Sequence, residues 1–242
     1  MGKAKVRFDS FDPTAAADAA INGRASKGSV GSRTWGQSTS SERPTHKTHG
    51  TNSKLKGPIT TSQFDGSDDH LDLSTAHSLS TSDAWMFVIA FVDLDTSSDN
   101  TLLGFTGTGG NPDGYLQIGS GGTSVKWKPA TGKRPEVSTA INNTDNSSTN
   151  YTFGSDVEVL ILYQTGGQQF YYNIDGDLIG QTSVDGGFSQ FCDLTEIGGH
   201  SGETEFLNAE LIDVRIYTGS DVPPTTTASL QAIGNRYKQY KD

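Results

Sequence analysis

The chain has 242 residues, enough for one large domain or for one domain with an appendage. Apolar residues make up only 32% of it and glycine contributes 29 residues; this turn-rich composition is typical of all-β proteins and excludes a helical bundle. The single cysteine excludes an internal disulfide, and no cysteine or histidine spacing fits zinc.

The net charge of −10 conceals two oppositely charged regions. Residues 1–60 contain ten basic and four acidic side chains, a net charge of +6, whereas the rest of the chain contains eight basic and 24 acidic ones, a net charge of −16. The N-terminus lacks the apolar core of a signal peptide, and no run of apolar residues is long enough to span a membrane. We therefore expect a protein that is made in the cytoplasm, is not secreted and does not contact a membrane.

Residues 1–60 are predicted to form an extended basic arm. The stretch 22–56 consists mostly of Gly, Ser, Thr, Lys and Arg, which bury too little surface to order themselves. One short helix is predicted, with Asp12 as its N-cap, Thr14–Ile21 as its body and Gly23 at its end. The arm can be read as a solvated linker or as an anchor on an acidic protein surface. A nucleic-acid tail is disfavoured because the basic residues are dispersed and Trp35 alone offers a stacking ring.

Residues 61–242 are predicted to form the globular domain, because short apolar runs alternate there with turn signals. Predicted strands, in chain order, are Leu71–Leu73, Trp85–Val92, Leu102–Phe105, Tyr115–Ile118, Val125–Trp127, Val157–Tyr163, Gln169–Ile174, Leu178–Gly180 and Leu211–Tyr217. The pairs Gly166-Gly167 and Asp175-Gly176 predict two tight hairpins.

Two of these regions carry a more detailed prediction. Trp85–Val92 is apolar on both faces, which indicates a central strand covered on both sides. In Leu211–Tyr217, Ile212, Val214 and Ile216 are expected to share one buried face and the charged residues between them to share an exposed face. Apolar residues at helical spacing near residues 226–239, after a Thr-rich N-cap region, predict a short C-terminal helix that seals one end of the domain.

Four segments in this order resemble the laminin-G-like branch of the concanavalin A-like lectin/glucanase superfamily. They are Phe64–Leu73 (FDGSDDHLDL), Tyr172–Gly176 (YNIDG), Ile197–Gly199 (IGG) and Leu211–Tyr217 (LIDVRIY). The family's glycine before the last segment is replaced by Asn208-Ala209. The resemblance implies an all-β, two-sheet antiparallel jelly-roll sandwich, here with an extended N-terminal arm and a short C-terminal helix. It does not fix the function, because the superfamily contains lectins, glycosidases and virion modules.

Catalysis is not expected. A retaining glycosidase needs two carboxylates about 5 to 5.5 Å apart, which the superfamily's glucanases supply from alternate residues of one strand. The acidic residues near Glu203 and Glu210 do not fit that pattern. The chain is therefore predicted not to be an enzyme.

Two binding sites are predicted instead. Asp65, Asp68 and Asp69 offer three oxygen ligands for calcium, although the same residues are also typical of a plain turn. No other cofactor is expected. Tyr115, Trp127 and Tyr151, with the Asn-rich loop 142–150, are the candidate glycan-binding residues, although aromatic residues in strands often belong to a core instead.

These features favour a non-enzymatic accessory protein of a bacteriophage virion, present in several copies. Its arm would bind a major capsid or tail protein through Phe8, Phe11, Ile21 and Trp35, and its lectin-like domain would be displayed. A capsid decoration (cement) protein is preferred over a tail appendage, because long N-termini can run across neighbouring capsid subunits. The alternative is a glycan-binding lectin module, assisted by calcium, that attaches to a host surface or an extracellular polysaccharide.

Overall fold

The computed structural model describes residues 6–7, 35–36, 45–48, 54–55, 60–79, 84–107, 114–128, 137–140, 151–166, 168–183, 192–200 and 204–241. In chain order the strands are β1 (Val6–Arg7), β2 (Trp35–Gly36), β3 (Thr45–Thr48), β4 (Thr60–Asp65), β5 (Leu71–Leu79), β6 (Trp85–Val92), β7 (Asn100–Gly107), β8 (Gly114–Ile118), β9 (Ser124–Lys128), β10 (Val137–Ala140), β11 (Glu158–Thr165), β12 (Gln168–Tyr172), β13 (Leu178–Ser183), β14 (Cys192–Ile197) and β15 (Asn208–Thr218). One α-helix, α1, spans Thr227–Lys238.

The strands form two antiparallel sheets, which confirms the predicted jelly-roll sandwich. The first sheet has the order β13-β12-β11-β6-β15-β4-β3, with β1 also paired to β15. The second has the order β10-β9-β8-β7-β14-β5-β2. The main core lies between them. Within it, the rings of Trp85, Phe87, Phe105 and Trp127 form a cluster in which neighbouring centroids are 4.9 to 6.5 Å apart.

Strand β6 is central in the first sheet and buried on both faces, as its uninterrupted apolar sequence predicted. One face points into the main core. Its other face, which carries Met86, Val88 and Ala90, belongs to a second apolar cluster on the outer side of the sheet. A strand apolar on both faces needs two covers, and the second is helix α1.

Helix α1 lies on the outer face of the first sheet, so the prediction that it seals an end of the domain was wrong. Leu230, Ile233 and Tyr237 are buried against the outer apolar cluster. Thr226 caps the helix by accepting a hydrogen bond from the backbone N of Ser229. The apolar outer face of β6 and β11 attracts the helix, because that face would otherwise be exposed to water.

Strand β15 departs from the predicted alternation of faces. Its pairing with β6 shifts between Leu211 and Asp213, and such a bulge places an extra residue on one side of the strand. Ile212 therefore joins the outer cluster while Val214 lies in the main core, so the prediction that they share a face was wrong. Asp213 is also buried, and it accepts hydrogen bonds from Arg215 Nε at 2.6 Å and from the Tyr237 hydroxyl at 2.9 Å.

The described pieces of residues 1–60 pair with the sandwich itself. Strand β1 pairs with β15, β2 with β5, and β3 with β4. These pieces therefore extend both sheets. The helix predicted at Thr14–Ile21 lies outside the described residues. In the part of the chain that the structure describes, no helix is both long enough and apolar enough to cross a membrane.

Candidate functional site

The three aromatic residues predicted to bind a glycan lie in three separate environments. Trp127 is 1% exposed inside the main core, 4.9 Å from the ring of Phe105, so it offers no free ring face to a ligand. The prediction that it belongs to a binding platform needs correction, because β9 turns this side chain inward. The Asn-rich loop 142–150 lies outside the described residues.

Tyr115 is on the outer face of the second sheet, but it is covered. The His200 ring lies 5.2 Å from its centroid, and the Lys128 ammonium lies at the same distance. The segment after β14 passes closely over this sheet, since a Cβ placed at Gly104 would be 2.5 Å from the carbonyl oxygen of Gly199. Tyr115 is consequently only 8% exposed.

Tyr151 has a local structural role. Its hydroxyl donates a hydrogen bond to the Glu158 carboxylate, and its ring packs edge-on against Phe153 at 5.1 Å. Burial raises the pKa of Glu158 from 4.5 to about 7, although the bond from Tyr151 opposes that rise. This pair anchors the start of β11 and does not form a platform with Tyr115 or Trp127.

The predicted anchoring residues are mostly beyond reach of the structural description. Phe8, Phe11 and Ile21 lie outside the described residues. The backbone of Trp35 lies in β2, where it pairs with Leu73 of β5. Anchoring of a particle through these four residues stays a prediction.

The three predicted calcium ligands do come together, in the turn between β4 and β5. Asp65, Asp68 and Asp69 each have a carboxylate oxygen within 4.8 Å of the other two. Burial, followed by repulsion from Asp65, raises the pKa of Asp69 from 3.8 to about 6, although its Oδ2 accepts a bond from the Asp65 backbone N at 3.0 Å. Crowded oxygens of this kind suit a hard cation such as Ca²⁺, but they are also common in turns without one. Calcium at this turn stays a prediction.

A different set of aromatic residues remains open to solvent, on the outer face of the first sheet beyond α1. Tyr163 of β11, Phe170 of β12 and Tyr172 of β12 are each half-buried. Register places Tyr163 directly opposite Phe170, and Phe170 directly opposite Gln181 of β13. We call the surface formed by Tyr163, Phe170, Tyr172, Gln168 and Gln181 the aromatic face.

The rings of the aromatic face lie nearly parallel. The centroids of Tyr163 and Phe170 are 6.1 Å apart and their planes differ by 26°. Burial, followed by the neighbouring Tyr163, raises the pKa of Tyr172. Both tyrosines pack against the outer apolar cluster. Gln168 and Gln181 are exposed beside the rings and, with Phe170 and Thr182, line a shallow depression at the edge of the sheet.

The β11–β12 hairpin, which carries Tyr163, Phe170 and Tyr172, is held in place by hydrogen bonds among its core-facing side chains. The side-chain Nε2 of buried Gln169 donates to the side-chain Oε1 of Gln164 at 3.2 Å, and its Oε1 accepts from the Tyr171 hydroxyl at 2.8 Å. All three residues are at most 1% exposed. A satisfied polar network in a low-dielectric core holds its members firmly, so the outward rings sit on a rigid support.

Sequence reasoning missed the aromatic face, although a signal for it was present. The tight turn predicted at Gly166-Gly167 fixes the hairpin register, which puts Tyr163 opposite Phe170. Alternation then places Gln168, Phe170 and Tyr172 on one side of β12. What the sequence did not show is which side α1 covers and how far along the sheet that cover extends.

Comparison with known proteins addresses the fold. No protein-family model and no curated protein sequence matches the chain. Among solved structures, HCR/D aligns with a TM-score of 0.50 and 12% identity over 82% of this chain and 48% of that one. The botulinum neurotoxin serotype G binding domain aligns with a TM-score of 0.49 and 10% identity, over 80% of this chain and 46% of that one. The CBM40 module of the Ruminococcus gnavus IT-sialidase, bound to α2,3-sialyllactose, aligns with a TM-score of 0.47 and 14% identity. The alignment covers 72% of this chain and 96% of that one.

At such low identity the likeness concerns architecture alone. The chain spans about half the length of the HCR/D protein and of the serotype G binding domain. Together with the strand order, the likeness to HCR/D shows that the fold is a two-sheet jelly-roll sandwich.

Proposed function

We propose that the protein is a non-catalytic carbohydrate-binding jelly roll whose ligand lies on the aromatic face. The observation that carries the proposal is the near-parallel pair of half-buried rings, Tyr163 and Phe170, on a hairpin held rigid from the core. This choice revises the preference given by the sequence, which placed a glycan-binding module second.

The chemistry of a sugar fits this surface. One face of a pyranose ring presents C–H groups, which pack against the electron-rich face of an aromatic side chain. Its hydroxyl groups need partners that both donate and accept hydrogen bonds, and the amides of Gln168 and Gln181 do both. Few polar groups beside an apolar surface are typical of small-ligand sites.

The proposal is tested by binding of the full chain to a panel of immobilised polysaccharides and to a glycan array. The variant Phe170→Ala removes the central ring and should reduce binding at least about tenfold. The matched control is Phe206→Ala, since Phe206 is also half-buried but packs against His70, 6.0 Å away, before β15. The variant Phe170→Trp keeps an aromatic ring at this position and should retain glycan binding.

Two results would count against the proposal. One is an array on which the unmodified chain binds no glycan. The other is glycan binding that Phe170→Ala and Phe206→Ala reduce equally, because a ligand on the aromatic face must distinguish them. Melting temperatures of all variants show whether a loss of binding reflects unfolding.

A second candidate function is the accessory virion protein, anchored by residues 1–60 and displaying the jelly roll. The charge split, +6 in those residues and −16 in the rest, favours it. Its partner would be a capsid or tail protein, and its location a virion assembled in a host cytoplasm. The test is whether the full chain co-assembles with such particles and whether charge-reversing substitutions at Lys3 and Lys5 prevent it. Deletion of residues 1–57 is unsuitable, because it also removes β1, β2 and β3 from the sheets.

A further inference from the structure

We infer that the aromatic face takes a neutral glycan and discriminates against sugars that carry a carboxylate. This inference rests on the proposed function and adds the chemical class of the ligand.

No basic residue lies on the strands that build the face. Between Arg134 and Arg215 the sequence contains no Lys or Arg, and this interval includes all of β11, β12 and β13. The turn after β12 carries two carboxylates, those of Asp175 and Asp177. A carboxylate has the same sign of charge as an acidic sugar and repels it.

Three cations of the neighbouring elements have acidic partners. Lys238 of α1 lies 2.5 Å from Asp175, and Lys241 lies 3.0 Å from Asp156. Arg215, on β15, is paired with Asp213 at 2.6 Å. A ligand carboxylate would have to compete with these carboxylates for each cation.

A sugar carboxylate placed on the aromatic face would therefore lose hydration, and no lysine or arginine of β11, β12 or β13 would supply a countercharge. Such transfer is costly, because a charge taken out of water needs pairing to recover its solvation energy. The electron-rich ring faces of Tyr163 and Phe170 add to the cost, since they attract cations and not anions.

A neutral sugar meets no such cost. Its hydroxyls exchange hydrogen bonds with water for bonds with Gln168 and Gln181, which are exposed and uncharged. The strands of a sheet lie about 4.8 Å apart, so three strands span about 10 Å. That width accommodates a short segment of a glycan chain.

The test uses matched pairs of glycans on one array, each neutral oligosaccharide beside its sialylated or uronic-acid derivative. Lactose with α2,3-sialyllactose is included, because a structural neighbour binds the latter. We expect the acidic member of each bound pair to bind at least about tenfold more weakly than the neutral member. Equal or tighter binding of the acidic member, lost in Phe170→Ala, overturns the inference but leaves carbohydrate binding in place. Absence of any Phe170-dependent binding overturns both.

A charged side chain introduced beside the rings tests whether charge causes the preference for neutral glycans. Gln181→Lys supplies the cation that the face lacks, so it should reduce the preference for the neutral member of a pair by about tenfold. Gln181→Glu is the matched control and should leave that preference unchanged or increase it. If Gln181→Lys leaves the ratio unchanged while Phe170→Ala still abolishes binding, charge does not set the selectivity and the inference is wrong.

Discussion

Both sheets carry aromatic side chains on their outer faces, but other segments of the chain cover these side chains to different extents. On the second sheet, the chain after β14 passes over Gly104, and Tyr115 is enclosed by His200 and Lys128. On the first sheet, α1 covers the middle, and the rings of Tyr163 and Phe170 at one end remain half-buried. Residue type alone therefore does not identify a binding surface. What decides is whether another segment of the chain already occupies the ring face.

Helix α1, which covers the first sheet, approaches the rest of the chain very closely at one residue, and a substitution there should have the largest effect on stability. Gly234 of α1 lies so near the turn after β12 that an added Cβ would be 1.7 Å from the Ile174 carbonyl oxygen. Alanine is the better helix former, yet the clash forces the helix away, and we expect Gly234→Ala to cost about 3 kcal/mol of unfolding free energy. Urea denaturation measures this.

The matched control for that substitution is Gly154→Ala. Gly154 has no heavy atom within 4 Å of an added Cβ, so its replacement should change stability by less than about 0.5 kcal/mol. Equal stability of the two variants would show that α1 does not approach the sheet as closely as described. Exposure of the outer cluster in Gly234→Ala should also appear as increased binding of an apolar dye.

The second prediction separates a covered ring from an open one. Tyr115→Ala removes a buried ring and should cost about 2 kcal/mol of stability while leaving glycan binding intact. Phe170→Ala should cost about 1 kcal/mol and abolish binding. Calorimetric unfolding and titration with a bound glycan measure the two effects. A Tyr115→Ala protein that folds but no longer binds would move the site to the second sheet.

Much of the fold was predictable because it depends on local patterns. Trp85–Val92 was predicted with the observed bounds, since an uninterrupted apolar run has few alternatives. The tight hairpin after β11 was predicted from Gly166-Gly167. The C-terminal helix was also predicted, within one residue of its observed ends.

The site was less predictable, because it depends on which segments cover each other. Trp127 and Phe170 look alike in sequence, each lying in an alternating strand, yet one is in the core and the other half-exposed. The bulge in β15 that moves Ile212 to the outer face has no composition signal of its own. Such features follow from tertiary packing, which overrides local preference.

The third prediction compares the two ends of β11, which carries a covered carboxylate at one end and an open ring at the other. Burial raises the folded-state pKa of Glu158 to about 7, above the value of 4.5 expected when unfolded. The folded state therefore holds the proton more tightly. The contribution of Glu158 to stability is therefore least favourable above pH 7 and improves as the pH falls through 7 toward 4.5, by on the order of 3 kcal/mol.

Glu158→Gln isolates this contribution. The amide oxygen still accepts the bond from the Tyr151 hydroxyl, but no charge is buried. The variant should be more stable than the unmodified chain at pH 8 and similar to it near pH 5. Denaturation midpoints at several pH values measure the difference. A variant with an unchanged pH profile would show that Glu158 ionises without cost.

The smallest effect is expected from calcium at the turn that joins the two sheets. That turn also has a buried and an exposed side chain within five residues, because Asp69 is buried and Asp65 is exposed. A cation bound by the folded state alone stabilises it by RT ln(1 + [L]/Kd), which at ten times Kd is about 1.4 kcal/mol. For a site with a Kd of about 1 mM, about 10 mM CaCl₂ should therefore raise the melting temperature by a few degrees, and a chelator should reverse that rise.

Since the pKa of Asp69 is about 6, protons compete with calcium below that pH, and the calcium-induced rise in melting temperature should vanish near pH 5. Asp69→Asn keeps an oxygen to accept the Asp65 backbone bond but removes the charge, so it should abolish the shift without unfolding the chain. A calcium shift that persists in Asp69→Asn, or no shift at pH 8 in the unmodified chain, would leave the three carboxylates as a turn and nothing more.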